Sequence, residues 1–138
     1  MHLKRRNLTK VNISLVTADV ETAFSYGRRY THDEFMQVIH ASSTLGIPIT
    51  AYLICGLPGE KYDSINSGLD FLARLPVLIG VSIFYPVPGI EGFTDNDLFD
   101  QISPLLCRGS SFQPWGKCTT EELVRIFMKA RALNMSKS

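Results

Sequence analysis

A chain of 138 residues is one domain, or part of a larger one. With 45% hydrophobic and 20% charged residues, its composition is that of a globular protein and excludes the disordered class. A net charge of +1 gives no electrostatic reason to expect a nucleic-acid partner, and no run reaches the roughly 18 apolar residues of a membrane span.

Residues 1–10 form a basic N-terminal segment. Its Lys4-Arg5-Arg6 cluster reads as a solvated charge run, with no apolar core behind it to make a signal peptide. Residues 11–17 (VNISLVT) alternate Val11, Ile13 and Leu15 with Asn12, Ser14 and Val16, which predicts a first strand with one polar face. Residues 18–30 read as a loop or a short helical turn that ends in Arg28 and Arg29. Thr31 and Glu34 have capping-box spacing and open a helix whose stripe is Phe35, Val38, Ile39, Ser42 and Leu45, stopped by Gly46.

The stretch from Pro48 to Glu60 (PITAYLICGLPGE) predicts a buried strand running into a glycine-proline turn. Ile49, Ala51, Leu53 and Cys55 share one face, and Thr50, Tyr52 and Ile54 the other. A helix over residues 62–75 follows, with Ile65, Leu69 and Leu72 inward and Pro76 at its end. A third strand covers residues 78–85 (LIGVSIFY). Residues 90–118 are a loop-rich excursion with at most a short helix near 97–102. A second capping box, Thr119 with Glu122, starts a last helix that buries Leu123, Ile126, Phe127, Ala130 and Leu133.

Strands alternating with helices predict an α/β fold, a βαβαβ unit over residues 11–89 with a parallel three-stranded sheet. Three strands are few, and both outer ones are expected to expose backbone to water or to another chain.

Cys55, Cys107 and Cys118 are odd in number and far apart, which points to free thiols, a reducing compartment and a cytoplasmic protein. They fit no zinc spacing, and His2, His32 and His40 do not cluster with them. The Gly56–Glu60 turn is neither a Walker loop nor a dinucleotide fingerprint; it is either a tight structural turn or a ligand contact. Glu60 reads as a first-turn helix residue favoured by the dipole. Asn12, Ser14, Thr50, Tyr52 and Ser82 lie on strand faces opposite aliphatic ones, where they either bond one another or hold a polar ligand. Arg28 and Arg29 either clamp a carboxylate or face solvent.

Taken together, residues 11–17 with a following arginine, residues 46–60 with AYLICGLPGE, and residues 76–89 with SIFYPVPG resemble the later half of a radical S-adenosylmethionine enzyme barrel. The similarity extends more loosely through residues 106–115. It implies a partial barrel, the C-terminal half of a (β/α)6 barrel that binds a [4Fe–4S] cluster and S-adenosylmethionine. Members of that family cleave S-adenosylmethionine reductively and abstract hydrogen from a substrate.

On this resemblance Ile54 would pack on adenine and Gly56 would line the adenosyl pocket. Ser14 would meet the ribose or methionine moiety, Arg28 or Arg29 the methionine carboxylate, and Tyr85 with Pro86 would stand beside the nucleoside. The family's C-x3-C-x2-C cluster motif has no counterpart among Cys55, Cys107 and Cys118, and Tyr52 stands where many members have glycine. The resemblance therefore implies that the cluster segment lies in a missing N-terminal half or in a separate cluster-bearing subunit, and that this chain alone is inactive. A different class of reading is a non-catalytic scaffold that pairs with such a subunit through an open sheet edge. A third is an unrelated α/β enzyme that uses the Gly56–Glu60 turn for a phosphorylated ligand.

Overall fold

Alternating apolar residues make the strands of the structure, a computed structural model that describes residues 7–17, 20–27, 31–87, 89 and 102–137. Strands β1 (Val11–Val16), β2 (Ile49–Cys55) and β3 (Leu78–Ile83) lie side by side in that order, all parallel. A short helix α1 (Val20–Ser25) and then α2 (His32–Thr44) connect β1 to β2, and α3 (Tyr62–Ala73) connects β2 to β3. Two single 3-10 turns, Pro104–Leu106 and Gly109–Ser111, precede the last helix, α4 (Thr120–Met135). The fold is α/β, an open three-stranded parallel sheet with flanking helices. No helix among the described residues is long and apolar enough to cross a membrane.

Both capping boxes form. The Thr31 N–H donates to Glu34 Oε2 at 2.7 Å and the Glu34 N–H to Thr31 Oγ1 at 3.2 Å. Thr119 and Glu122 repeat the pair at 2.8 and 3.2 Å. Each box satisfies donors that the first helical turn leaves without partners. At the far end, Lys137 Nζ donates to the carbonyls of Leu72, Leu75 and Val77 at 3.1, 3.0 and 2.9 Å. It thereby ties the chain after α4 to the carboxyl end of α3, where a cation is favoured.

The core lies between one face of the sheet and the helices. Leu15, Ile49, Ala51, Leu53, Cys55, Ile79 and Ile83 meet Phe35 and Ile39 of α2, Ile65, Leu69 and Leu72 of α3, and Leu123, Ile126 and Ala130 of α4. Val38 departs from the expected stripe and is 42% exposed. Phe35, Ile39 and Ser42, spaced four and three apart, form the narrower buried line of α2.

Strand β3 ends at Ile83, two residues before its expected end. Phe84 still donates its N–H to the Cys55 carbonyl at 2.9 Å, but the ladder stops with β2, and Pro86 offers no donor. The short helix expected near residue 97 falls mostly outside the described residues.

The other face of the sheet carries Asn12, Ser14, Thr50, Tyr52, Ile54, Leu78, Gly80 and Ser82, as strand alternation requires. Asn12, Ser14, Leu78 and Ser82 are exposed, and the described helices contribute their core residues to the opposite face. The two sheet edges differ. On the outer side of β3 the Asn134 carboxamide stands in for a neighbouring strand: Oδ1 accepts from the Ile79 N–H at 2.9 Å and Nδ2 donates to the Ile79 carbonyl at 2.8 Å. Farther along, a Cβ placed on Gly109 would lie 3.2 Å from the Ile83 carbonyl oxygen, so this segment crosses close to the strand. The expectation that both outer strands expose backbone is thus corrected in part for β3, at Ile79 and beside Ile83. β1 pairs with β2 alone among the described strands.

Gly80 is opposite Tyr52 in register, and a Cβ there would come within 2.4 Å of the Tyr52 ring. The ring lies on the glycine and covers the bare centre of the open face. Gly80→Ala should therefore lower stability by about 1–3 kcal/mol, the range for forcing extra volume into a packed site. Urea unfolding checks this, and in a Tyr52→Ala background most of the loss should disappear.

A candidate functional site at the carboxyl edge of the sheet

The carboxyl ends of parallel strands are where α/β folds bind ligands, because loops there converge and backbone groups are left over. Here those ends are Thr17 after β1, the Gly56–Glu60 turn after β2, and Phe84–Pro86 after β3. The turn needs glycine twice: Gly56 and Gly59 both have φ of +86°.

Glu60 lies in the middle of this edge and is only 2% exposed. Its Oε1 accepts from Thr17 Oγ1 at 2.7 Å, and its Oε2 accepts from the N–H groups of Gly56 at 3.0 Å and Leu57 at 3.3 Å. One carboxylate thus joins the end of β1 to the turn after β2. The expectation of a first-turn helix residue is corrected: Glu60 precedes α3, whose N-cap is Lys61, and is buried. The Cys118 thiol lies 3.9 Å from the Glu60 carbonyl and brings the start of α4 to the same place.

The charge of Glu60 is felt by its neighbours. Burial first, and Glu60 second, push the Tyr26 phenol up. Burial, Glu60 and Cys118, in that order, push the Cys55 thiol far up. Cys118 is pushed up to about 11 by burial, then Glu122, then Glu60. Both thiols are held neutral, which is the opposite of an activated nucleophile or a ready metal ligand.

The residues expected at the site separate into three places. Ser14 and Ile54 share the open sheet face, Ser14 exposed opposite Tyr52 and Ile54 half-buried opposite Ser82. Gly56 is buried in the turn, where its N–H is committed to Glu60 and a Cβ would meet Leu123 Cδ2 at 3.0 Å. Pro86 is buried, while Tyr85, 41% exposed, stands at the rim of a cavity beside β3. Arg28 and Arg29 lie outside the described residues. Phe112 meets Phe127 edge to face at 5.7 Å between ring centres, so that aromatic packs the excursion onto α4.

Sequence reasoning missed Glu60 with Thr17 and the cavity beside β3. The one available signal was an acid placed directly after a double-glycine turn. The same geometry disfavours the phosphate reading of this turn, since the carboxylate already occupies its N–H groups and would repel an anion.

Among the described residues, no group of three His, Cys, Asp or Glu side chains converges to hold a metal ion. Cys55 and Cys118 are buried and protonated, and Cys107 stands apart beside the Pro104–Leu106 turn. These cysteines do not fit an iron-sulfur cluster, which needs converging thiolates. No family model, curated protein or solved structure matches the chain.

Two outcomes are expected from this geometry. Glu60→Gln keeps the shape but cannot accept from all three donors, and should lower stability by about 2 kcal/mol in urea unfolding. The same change should move the Cys118 thiol back toward its ordinary value, read from the pH dependence of alkylation. In the native protein the raised Cys118 value has a further consequence. A thiol protonated in the fold and ionised in the unfolded chain contributes stability that is full below its ordinary value of 9.0 and is lost as pH rises toward about 11. Melting temperature should therefore fall between pH 9 and 11, and Cys118→Ala should flatten part of that fall.

Proposed function

We propose that this chain is the later half of a radical S-adenosylmethionine barrel. The complete protein would cleave S-adenosylmethionine at a [4Fe–4S] cluster and abstract hydrogen from a substrate. The observation that carries the reading is the one-sidedness of the sheet. The described helices pack on one face, the other face carries Asn12, Ser14 and Ser82 exposed, and the β3 edge is partly covered while β1 has no described outer neighbour. A barrel wall has this arrangement, with its helices in an outer ring on one face of the strands.

In this reading, this chain binds and orients and supplies no cluster ligand. Ser14 offers a hydroxyl to the ribose or methionine part, and Ile54 an apolar surface to the base. Gly56, held by Glu60, fixes the turn that borders the adenosyl group, and Tyr85 and Pro86 close the far side. Arg28 or Arg29 would pair with the methionine carboxylate. The same free side of β1 also suits the second reading, a non-catalytic module that adds to the sheet of a separate cluster-bearing subunit.

The discriminating experiment is to sequence the DNA directly upstream of the Met1 codon and to affinity-purify the native protein. Upstream βα units with C-x3-C-x2-C, in frame, are the expected result and place cluster and chain in one polypeptide. A co-purifying cysteine-motif subunit would select the second reading. Neither the motif upstream nor such a subunit would end both.

A further inference from the structure

Beside the outer edge of β3 is a cavity of about 380 Å³, within the size range of small-ligand sites. Its walls include Val81, Ile83, Tyr85, Phe112 and Phe127, with Ser82, Gly109 and Ser110 completing the lining. Backbone groups alternate in direction along a strand. Phe84 sends its N–H inward to Cys55, while Ile79 sends its N–H and carbonyl outward to Asn134. Val81, two residues from Ile79, therefore also faces outward, with an N–H donor and a carbonyl acceptor that no described group engages.

From this we propose that the cavity binds a flat, ring-bearing primary carboxamide or lactam. Its amide would pair with both backbone groups of Val81 while the ring lies among Tyr85, Phe112 and Phe127. The strand already displays the chemistry one rung earlier. At Ile79 a carboxamide makes the same two bonds, at 2.9 and 2.8 Å, and Val81 repeats that donor-acceptor pair about 6.6 Å farther along. An added peptide strand is the other ligand that uses such groups, but it needs several consecutive rungs. Asn134 closes the rung at Ile79 and Gly109 crosses at Ile83, so only the rung at Val81 remains. The aromatic walls suit a ring, which stacks or meets them edge-on. The site lies at the outer edge of β3 and shares Tyr85 with the proposed adenosyl pocket, but the inference is drawn from the strand edge and does not depend on the radical-enzyme reading.

The test is titration of the full, nitrogen-15-labelled chain with benzamide, followed by proton-nitrogen correlation spectra. A saturable shift centred on the Val81 amide is expected. N,N-dimethylbenzamide keeps the ring and the carbonyl but has no N–H, and should bind about tenfold more weakly. Ser110→Trp, an exposed position at the rim, should fill the cavity and weaken benzamide by at least about tenfold with little change in melting temperature. An unmoved Val81 amide or equal affinity for the dimethyl compound would overturn the proposal, and neither readout depends on the variant. Displacement of benzamide by S-adenosylmethionine would also overturn it, since the cavity would then belong to the cofactor.

Discussion

The Glu60 carboxylate is the constraint on which the functional edge of this sheet depends. A buried charge is tolerated only when its oxygens are fully hydrogen-bonded. Here the donors come from Thr17, Gly56 and Leu57, so the charge can be buried only when the end of β1 and the turn after β2 are both in place. The hydroxyl comes from a residue 43 positions away, which makes the contact a statement about tertiary structure as well as about the turn. The same charge, added to burial, keeps Cys55 and Cys118 as thiols. One side chain thus joins the elements of the edge and adds to the burial that raises the thiols beside it.

A second constraint acts at the opposite side of the sheet. An edge strand must satisfy or hide its outward backbone groups, or it will pair with another chain. β3 meets this partly with a side chain: the Asn134 amide is a substitute strand one rung long. That solution needs α4 to return along the strand, and Lys137 holds the chain after the helix on the carboxyl end of α3. The two bonds at Ile79 and the crossing at Gly109 leave a gap between them, and the cavity at Val81 is that gap.

What the sequence disclosed and what it withheld follow from the range of the forces involved. Capping boxes, strand alternation and glycine turns are local, and so Thr31 with Glu34, Thr119 with Glu122 and the β2 pattern can be read directly. The polar set Asn12, Ser14 and Ser82 was legible as a shared face for the same reason. Glu60 was not, because acid residues near helix starts usually face solvent, and only Thr17 and the curled turn N–H groups make this one different. Asn134 carries no local signal. Its role depends on Ile79, 55 residues earlier. Val38 failed in the opposite direction: it has the right spacing for a stripe, but the narrow contact along Phe35 and Ile39 leaves it outside.

The open face shows how these constraints meet. Parallel sheets are usually covered on both sides, and their strands are correspondingly apolar. This sheet departs from that pattern at its margins, where β1 and β3 turn Asn12, Ser14 and Ser82 outward. It keeps the apolar habit at its centre, where the Tyr52 ring covers Gly80 and Ile54 is half-buried. Thr50 lies between these regimes: it is 6% exposed, and its hydroxyl has no hydrogen-bond partner among the described residues. A buried hydroxyl without a partner costs free energy that valine, of nearly the same shape, would not. Its presence beside Asn12, to which it is opposite in register, fits a face shaped to meet polar matter at its β1 side. A plain structural sheet would gain by losing that hydroxyl, whereas a wall that receives a ligand or another set of strands would have a use for it.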